Sequence, residues 1–304
     1  MNLVVAAGLL AFFSILLLGP LSASLARAQW IERAPRAAVL LWQCMGLSAI
    51  VSGIGAGLAV AVSRYRMGLA GGTAQLAKGI VSSHPLQGLG LYDALGLTLA
   101  TDLGIVLCVV FVVAMVRTVR LRARHRRILD LVTHEAPAYP GTEFLADQRA
   151  VAYCLPGLRP RIVISDGTLA LLDNEELWAV IHHERGHAHE YHGLVMLPMI
   201  GLKNILGWLP YARHASTSMA RLLEMAADDF SSRRCGRGPL AAALVEMAAT
   251  GWAPTCGLAA ASTDIAKRVS RLLGRKPTSR ALAALAVGLG VGVLLLPMSA
   301  AVLT

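Results

Sequence analysis

The sequence predicts a mainly α-helical membrane protein, with about four transmembrane helices and one folded α+β domain between the third and the fourth. Three observations predict it. Of the 304 residues, 56% are hydrophobic and 15% charged, against about 25% charged in ordinary soluble domains. Four apolar stretches approach or exceed the roughly 20 residues that a bilayer crossing needs: Leu3 to Gly19, Ala37 to Ser63, Leu97 to Val116 and Ala281 to Leu303. Between the last two lies a more polar segment of the length of one domain. The chain therefore divides into a three-span region (1–117), a domain (118–280) and a final span (281–304).

The first stretch is expected to end at Pro20, which cannot donate a helical hydrogen bond. "ARAQ" at 26–29 resembles a signal cleavage site, but "MNLVV" lacks the positive flank such signals carry, so the stretch reads as a retained span. The third contains Asp102, which is costly in hydrocarbon; it marks either a function or a side chain reaching toward the interface. That span runs into "RTVRLRARHRR" with Arg117, Arg120, Arg122, Arg124, Arg126 and Arg127. The fourth is preceded by Lys267, Arg268, Arg271, Arg275, Lys276 and Arg280. Basic residues flanking spans face the cytoplasm, which puts the domain inside and both termini outside, at the plasma membrane. The loop with Arg27, Arg33 and Arg36 agrees, whereas Arg64, Arg66 and Lys78 in the next loop run against it. The flanking runs account for most of the net charge of +10, so direct nucleic-acid binding is not expected. Cys44, Cys108, Cys154, Cys235 and Cys256 have neither CxxC nor secreted spacing and read as reduced thiols.

In the domain, "RAVAYCLPG" and "RIVIS" read as two short strands joined by a Pro/Gly turn, with "RIVIS" as an edge able to hold an extended peptide. A helix enters at "LLDNEEL", where Asp173 can cap and Glu176 stands three residues on. Leu177, Val180 and Ile181 supply its buried stripe, and Gly193 is its expected stop. A second helix runs from about Ser216 to Gly236.

The first helix carries "HHERGHAHEYHG" (182–193), in which His183-Glu184-Arg185-Gly186-His187 satisfies HExxH. Positions i and i+4 share a helix face, so His183 and His187 can aim ring nitrogens at one ion. Glu184 points to the neighbouring side, where it can act as the catalytic base on a water. Two imidazoles and a carboxylate suit one Zn²⁺ per chain, with a fourth position left open. The metzincin continuation fails, because Glu190 stands at its Gly position and Gly193 at its His position. Glu190 shares the ligand face, but one straight helix seldom wraps three ligands around an ion. The best third ligand is Glu224 in "RLLEMAADD", on the next helix. Asp228, four residues on, can orient a ligating imidazole from behind, while Asp229 reads as solvated. His182, His189 and His192 read as solvent or interface histidines. The apolar "LVMLPMIGLKNILGWLP" (194–210) must then be a buried or membrane-apposed hairpin, since a single crossing would put His183 and Glu224 on opposite sides.

Three spans, then "AYCLPG", "RIVIS", "HHERGH" and "EMAAD", then a final span resemble the BlaR/MecR-type membrane metallopeptidases over nearly the whole chain. The resemblance implies a zincin-like (gluzincin) cytoplasmic domain with zinc on His183, His187 and Glu224 and with Glu184 as base. It also implies cleavage of a BlaI-like winged-helix repressor in answer to an external signal. Sensor members carry a penicillin-binding domain after the last span; this sequence ends at Thr304 without an SxxK motif, so direct covalent β-lactam sensing is not expected. An HtpX-like quality-control protease of membrane proteins is the alternative enzyme. A membrane transducer or scaffold with a vestigial metal site is the non-enzyme alternative. The expected partners are the bilayer and a protein substrate, and a homodimer is compatible with the sequence.

Overall fold

The computed structural model describes residues 2–81, 90–135, 138–157, 159–250, 261–274 and 279–302. Cys256, Arg275, Lys276 and Leu303 lie outside the described residues. Helix α1 (Leu3–Leu16) passes through a π-helical turn at Leu17–Leu21 into α2 (Ser22–Arg27). Pro20 does not end the span as expected. It sits inside the wider π turn, where a missing N–H is tolerated. Ser22 Oγ lies 3.2 Å from the carbonyl of Leu18 and 2.8 Å from that of Gly19, within reach of the acceptors left spare there. Then come α3 (Pro35–Ala61), α4 (Gly68–Val81) and α5 (Leu91–Val132).

Helix α5 has 42 residues, which at 1.5 Å each is about 60 Å, twice the hydrocarbon thickness. Its arginine-rich half must project beyond a bilayer, and the 117/118 boundary falls inside an unbroken helix. A short β1 (Thr133–Glu135), β2 (Thr142–Leu145), β3 (Ala152–Leu155) and β4 (Arg161–Ser165) follow, with α6 (Asp166–Leu171) and α7 (Asn174–His189) after them. Beyond these lie α8 (His192–Val195), α9 (Leu197–Leu206), α10 (Pro210–Cys235), α11 (Arg237–Ala249), α12 (Ala261–Leu273) and α13 (Arg280–Val302). Among the described residues, four helical segments are long and apolar enough to cross a membrane: α1 with α2, α3, α5 and α13. Cys44, Cys108 and Cys235 carry free thiols.

Helix α3 is the hub of the spans. Of its most apolar window 56% is buried, against 17% for α5 and for α13, because α1, α5 and α13 all pack on it. It meets α5 through small residues: a Cβ on Gly96 would lie 2.6 Å from the Gly57 carbonyl oxygen and 2.8 Å from Val60 Cβ. Such close crossings are how helices associate where lipid replaces water. Gly96→Val should therefore cost about 1–3 kcal/mol by overpacking, read as a lower melting temperature in detergent. Gly104→Val, on the same helix where an added Cβ would meet nothing within 4 Å, should leave it unchanged.

The sheet has the order β1-β2-β4-β3, with β2 parallel to β4 and the other pairs antiparallel. The expected strands are β3 and β4, but "RIVIS" is the central strand and "AYCL" the edge. The correction has a burial reason: Val163 and Ile164 are 0% exposed, as a strand with neighbours on both sides should be. Phe144, Ile162 and Ile164 of the sheet pack with Leu177 and Ile181 of α7 and Met247 of α11. Arg161 joins Glu143 on β2 to Asp130 on α5, fixing the sheet to the projecting helix.

Helix α9 is about 15 Å long, half a bilayer, so 194–210 folds back as expected. It is seated deep: a Cβ on Gly201 would lie 2.9 Å from Ala114 Cβ of α5. Gln43 of α3 donates to the Val195 carbonyl at 2.9 Å, and Tyr211 at the start of α10 donates to the Trp42 carbonyl at 2.6 Å. Helix α10 starts earlier than expected, at Pro210, because Tyr211, Ala215 and Met219 extend its buried stripe against α3.

Candidate metal centre

The site is built where α7 crosses α10. Asp173 caps α7 in the expected box, its carboxylate accepting from Glu176 N–H while Glu176 accepts from Asp173 N–H. Two contacts press the helices together. Ser231 donates to the Ala179 carbonyl at 2.7 Å, and the missing side chain of Gly186 leaves room for the Phe230 ring. This crossing brings His183, His187 and Glu224 to one point. His183 Nε2 lies 3.2 Å from His187 Nε2, and the Glu224 carboxylate lies 3.4 Å from each. Ligands about 2.0–2.1 Å from a tetrahedral zinc stand about 3.3 Å apart. Among the described residues this is the group of His, Cys, Asp or Glu side chains able to hold a metal ion.

The electrostatics fit a cation. Asp228 is 0% exposed, with Oδ1 3.1 Å from His183 Nδ1, the orienting position expected for it. Burial works against a proton on His183, but the Asp228 and Glu224 carboxylates, 3.1 and 3.4 Å from its ring nitrogens, outweigh it and hold the ring up to about 9. His187 is pushed down to about 3, chiefly by burial, and so keeps the neutral form that a metal requires. Burial also disfavours a charged Glu224, yet His187 and Arg268 keep its carboxyl far below the usual range. The pocket thus gathers carboxylates around imidazoles and draws positive charge in.

One supplier of that charge, Arg268 on α12, was not foreseen from the sequence. It is 3% exposed and donates to Asp228 at 2.9 and 2.6 Å, with Nη1 3.0 Å from Glu224. The signal was in "STDIAKRVSRLL": Ile265, Arg268, Val269 and Leu272 fall at i, i+3, i+4 and i+7, a buried stripe with an arginine in it.

Glu184 stands beside the ligands, 6% exposed, and accepts the backbone N–H of Cys154 on the edge strand β3. Burial pushes its carboxyl up to about 7. A cavity of about 670 Å³ opens in front of these groups, walled by β3 (Tyr153, Leu155) on one side and α9 (Ile200, Asn204) on another.

Three sequence expectations change here. Helix α7 does not run to Gly193; it stops at His189, and Tyr191 turns left-handed (φ 51°). Gly193 is small for a different reason, since a Cβ there would lie 2.6 Å from Pro156. The turn swings His192 back, so it is 4% exposed and touches His187 instead of solvent. Asp229 is not solvated either, for Arg271 pairs with it at 2.9 Å. His189 lies 5.5 Å from the Phe230 ring of α10, at a helix interface, while His182 lies 5.9 Å from the Trp178 ring one turn back on its own helix.

Residues 117–250 match the family model of Peptidase family M48. The matched segment contains the four sheet strands and all of His183, Glu184, His187, Glu224 and Asp228, and supports a metallopeptidase. No curated protein and no solved structure matches the chain.

Proposed function

We propose that the chain is a membrane-embedded zinc endopeptidase holding one Zn²⁺ on His183, His187 and Glu224, with Glu184 as its base. The observation that carries this reading is the convergence of two imidazole nitrogens and a carboxylate at 3.2–3.4 Å, with a buried carboxyl beside them. Zinc in such a site polarises a scissile carbonyl and makes water a better nucleophile near neutral pH. The protein's own residues do the rest. An extended peptide adding beside the edge strand β3 would lay its backbone across the cavity mouth. Glu184 takes the proton of the attacking water and returns it to the departing amine as the C–N bond breaks. Asp228 keeps His183 in place through Nδ1.

The working domain, 118–280, lies on the cytoplasmic side in this proposal, with both termini outside. The arginines of α5 support it. Arg268 and Arg271 count for less than the sequence suggests, because both are engaged with Asp228 and Asp229. The substrate reading carried from the sequence is regulatory: cleavage of a BlaI-like winged-helix repressor. A second reading, cleavage of membrane proteins in quality control, is favoured by α9, which forms part of the cavity wall while packing against Ala114 in the third span.

Purified protein should contain about one zinc, lose peptide hydrolysis to a strong chelator and regain it with added zinc. Absence of metal from active protein would sink the site. Cleavage of a purified repressor but not of an unfolded membrane protein would select the first substrate reading, and the reverse would select the second. A winged-helix repressor encoded in the neighbouring reading frame would also favour the first.

A further inference from the structure

His187 makes a contact that ligation alone does not require. Its Nε2 faces His183 and Glu224, while its Nδ1 lies 2.9 Å from Nδ1 of His192. The other nitrogen of His192 lies 3.4 Å from Glu190 Oε2. Glu190 in turn accepts from both Nε and Nη2 of Arg36, at 2.8 and 2.5 Å, and the same guanidinium donates to the Ala226 carbonyl at 2.9 Å. His192 is 4% exposed, so water does not compete for its ring.

One arrangement of hydrogens satisfies the whole row. A metal at His187 Nε2 needs the lone pair there, which places the hydrogen on Nδ1. His187 Nδ1–H then donates to His192 Nδ1, and His192 must carry its own hydrogen on Nε2. That hydrogen points at Glu190, an ionised acceptor fixed by the arginine fork. His183 reaches the Asp228 carboxylate directly. His187 reaches its carboxylate across one additional ring. The far end of the row is Arg36, in the first turn of α3, the span on which the others pack.

We propose that Arg36, Glu190 and His192 are positioning residues for His187, which fix its tautomer and tie the metal centre to the first turn of membrane helix α3. The proposal rests on the zinc reading above. The test uses the full-length protein in detergent, with zinc affinity measured by chelator competition and the site geometry read from the visible spectrum of the cobalt-substituted form. His192→Leu should lower zinc affinity by about 10–100-fold, the usual effect of removing a ligand's partner, and shift the cobalt bands. His192→Asn, whose Oδ1 can still accept from His187 Nδ1–H, should recover most of both. Glu190→Gln and Arg36→Met should each lower affinity, and together by no more than the larger of the two, because they act through one chain. Arg271→Met breaks the neighbouring pair with Asp229 and the bond to the Glu32 carbonyl, and it reaches the row through Asp229, whose Oδ2 lies 3.9 Å from Arg36 Nη1, so it should lower affinity by less than Arg36→Met.

Folded His192→Leu protein with zinc affinity within about twofold of wild type and an unaltered cobalt spectrum would overturn the relay. So would Arg271→Met lowering affinity as much as Arg36→Met, since the effect would then be general damage to the junction. Wild-type protein that binds neither zinc nor cobalt overturns the zinc reading and the relay with it. Wild type that binds while the variants are unaffected overturns the relay alone.

Discussion

Glu184→Gln protein is expected to hold zinc as wild type does and to hydrolyse peptide about 10²–10⁴-fold more slowly, the usual contribution of a positioned base. The two halves of this expectation come from different atoms. The side chains proposed to bind metal are His183, His187 and Glu224, and the substitution touches none of them. Glutamine has the size of glutamate and keeps an oxygen to accept the Cys154 N–H, so the buried pocket need not collapse around it. It cannot accept a proton from water at any pH of interest. Metal content and peptide hydrolysis measured on the same preparation check both halves. Unchanged cleavage would remove Glu184 from the mechanism. Loss of zinc together with activity would make Glu184 a ligand, contrary to the geometry in which Glu224 fills that place.

Much of this site was legible because its signals are local. A spacing of four puts His183 and His187 on one face, and a capping box three residues long marks where their helix starts. Hydropathy finds the spans because about 20 residues of apolar side chain leave few other solutions. What was missed depends on distant parts of the chain. Strands β1 and β2 hide in "THEAPAYPGTEFLA", where Pro and Gly mask any alternation, and β2 becomes a strand by pairing with β4, about 20 residues on. Pro20 read as a stop because the π turn that accommodates it leaves no mark in composition. His192 read as a bystander because a straight helix would carry it about 140° from His187 and about 180° from His183, to the far side from the ligand face. The left-handed turn at Tyr191 cancels that angle, and a tyrosine gives no warning of positive φ. Glu224 could be proposed from chemistry, since a third ligand had to exist. Arg268 could not, since no ligand set asks for an arginine.

Arg268→Met should destabilise the metal-free protein by about 3–5 kcal/mol, the cost of stripping one partner from a buried ion pair. Asp228 has no exposure and Glu224 little, so neither can turn to water when the guanidinium is gone. Two opposing effects then act on zinc affinity. Arg268 orients both carboxylates, and losing that order should weaken binding by about 10–100-fold, or roughly 1–3 kcal/mol. Arg268 also repels a dication. Its Nη2 is 3.5 Å from His183 Nε2, which would put the guanidinium about 5 Å from an ion, where a charge and a double charge oppose each other by about 6 kcal/mol at an effective dielectric of about 20. Repulsion outweighs the lost order. Zinc, by supplying the charge that Arg268 no longer gives, should therefore raise the melting temperature of the variant more than that of wild type. Thermal unfolding with and without saturating zinc checks this for both proteins. A variant as stable as wild type when metal-free would mean that Asp228 and Glu224 find other compensation. A smaller zinc-induced shift than wild type would show that Arg268 serves the metal by ordering its carboxylates and not by holding their charge until the ion arrives.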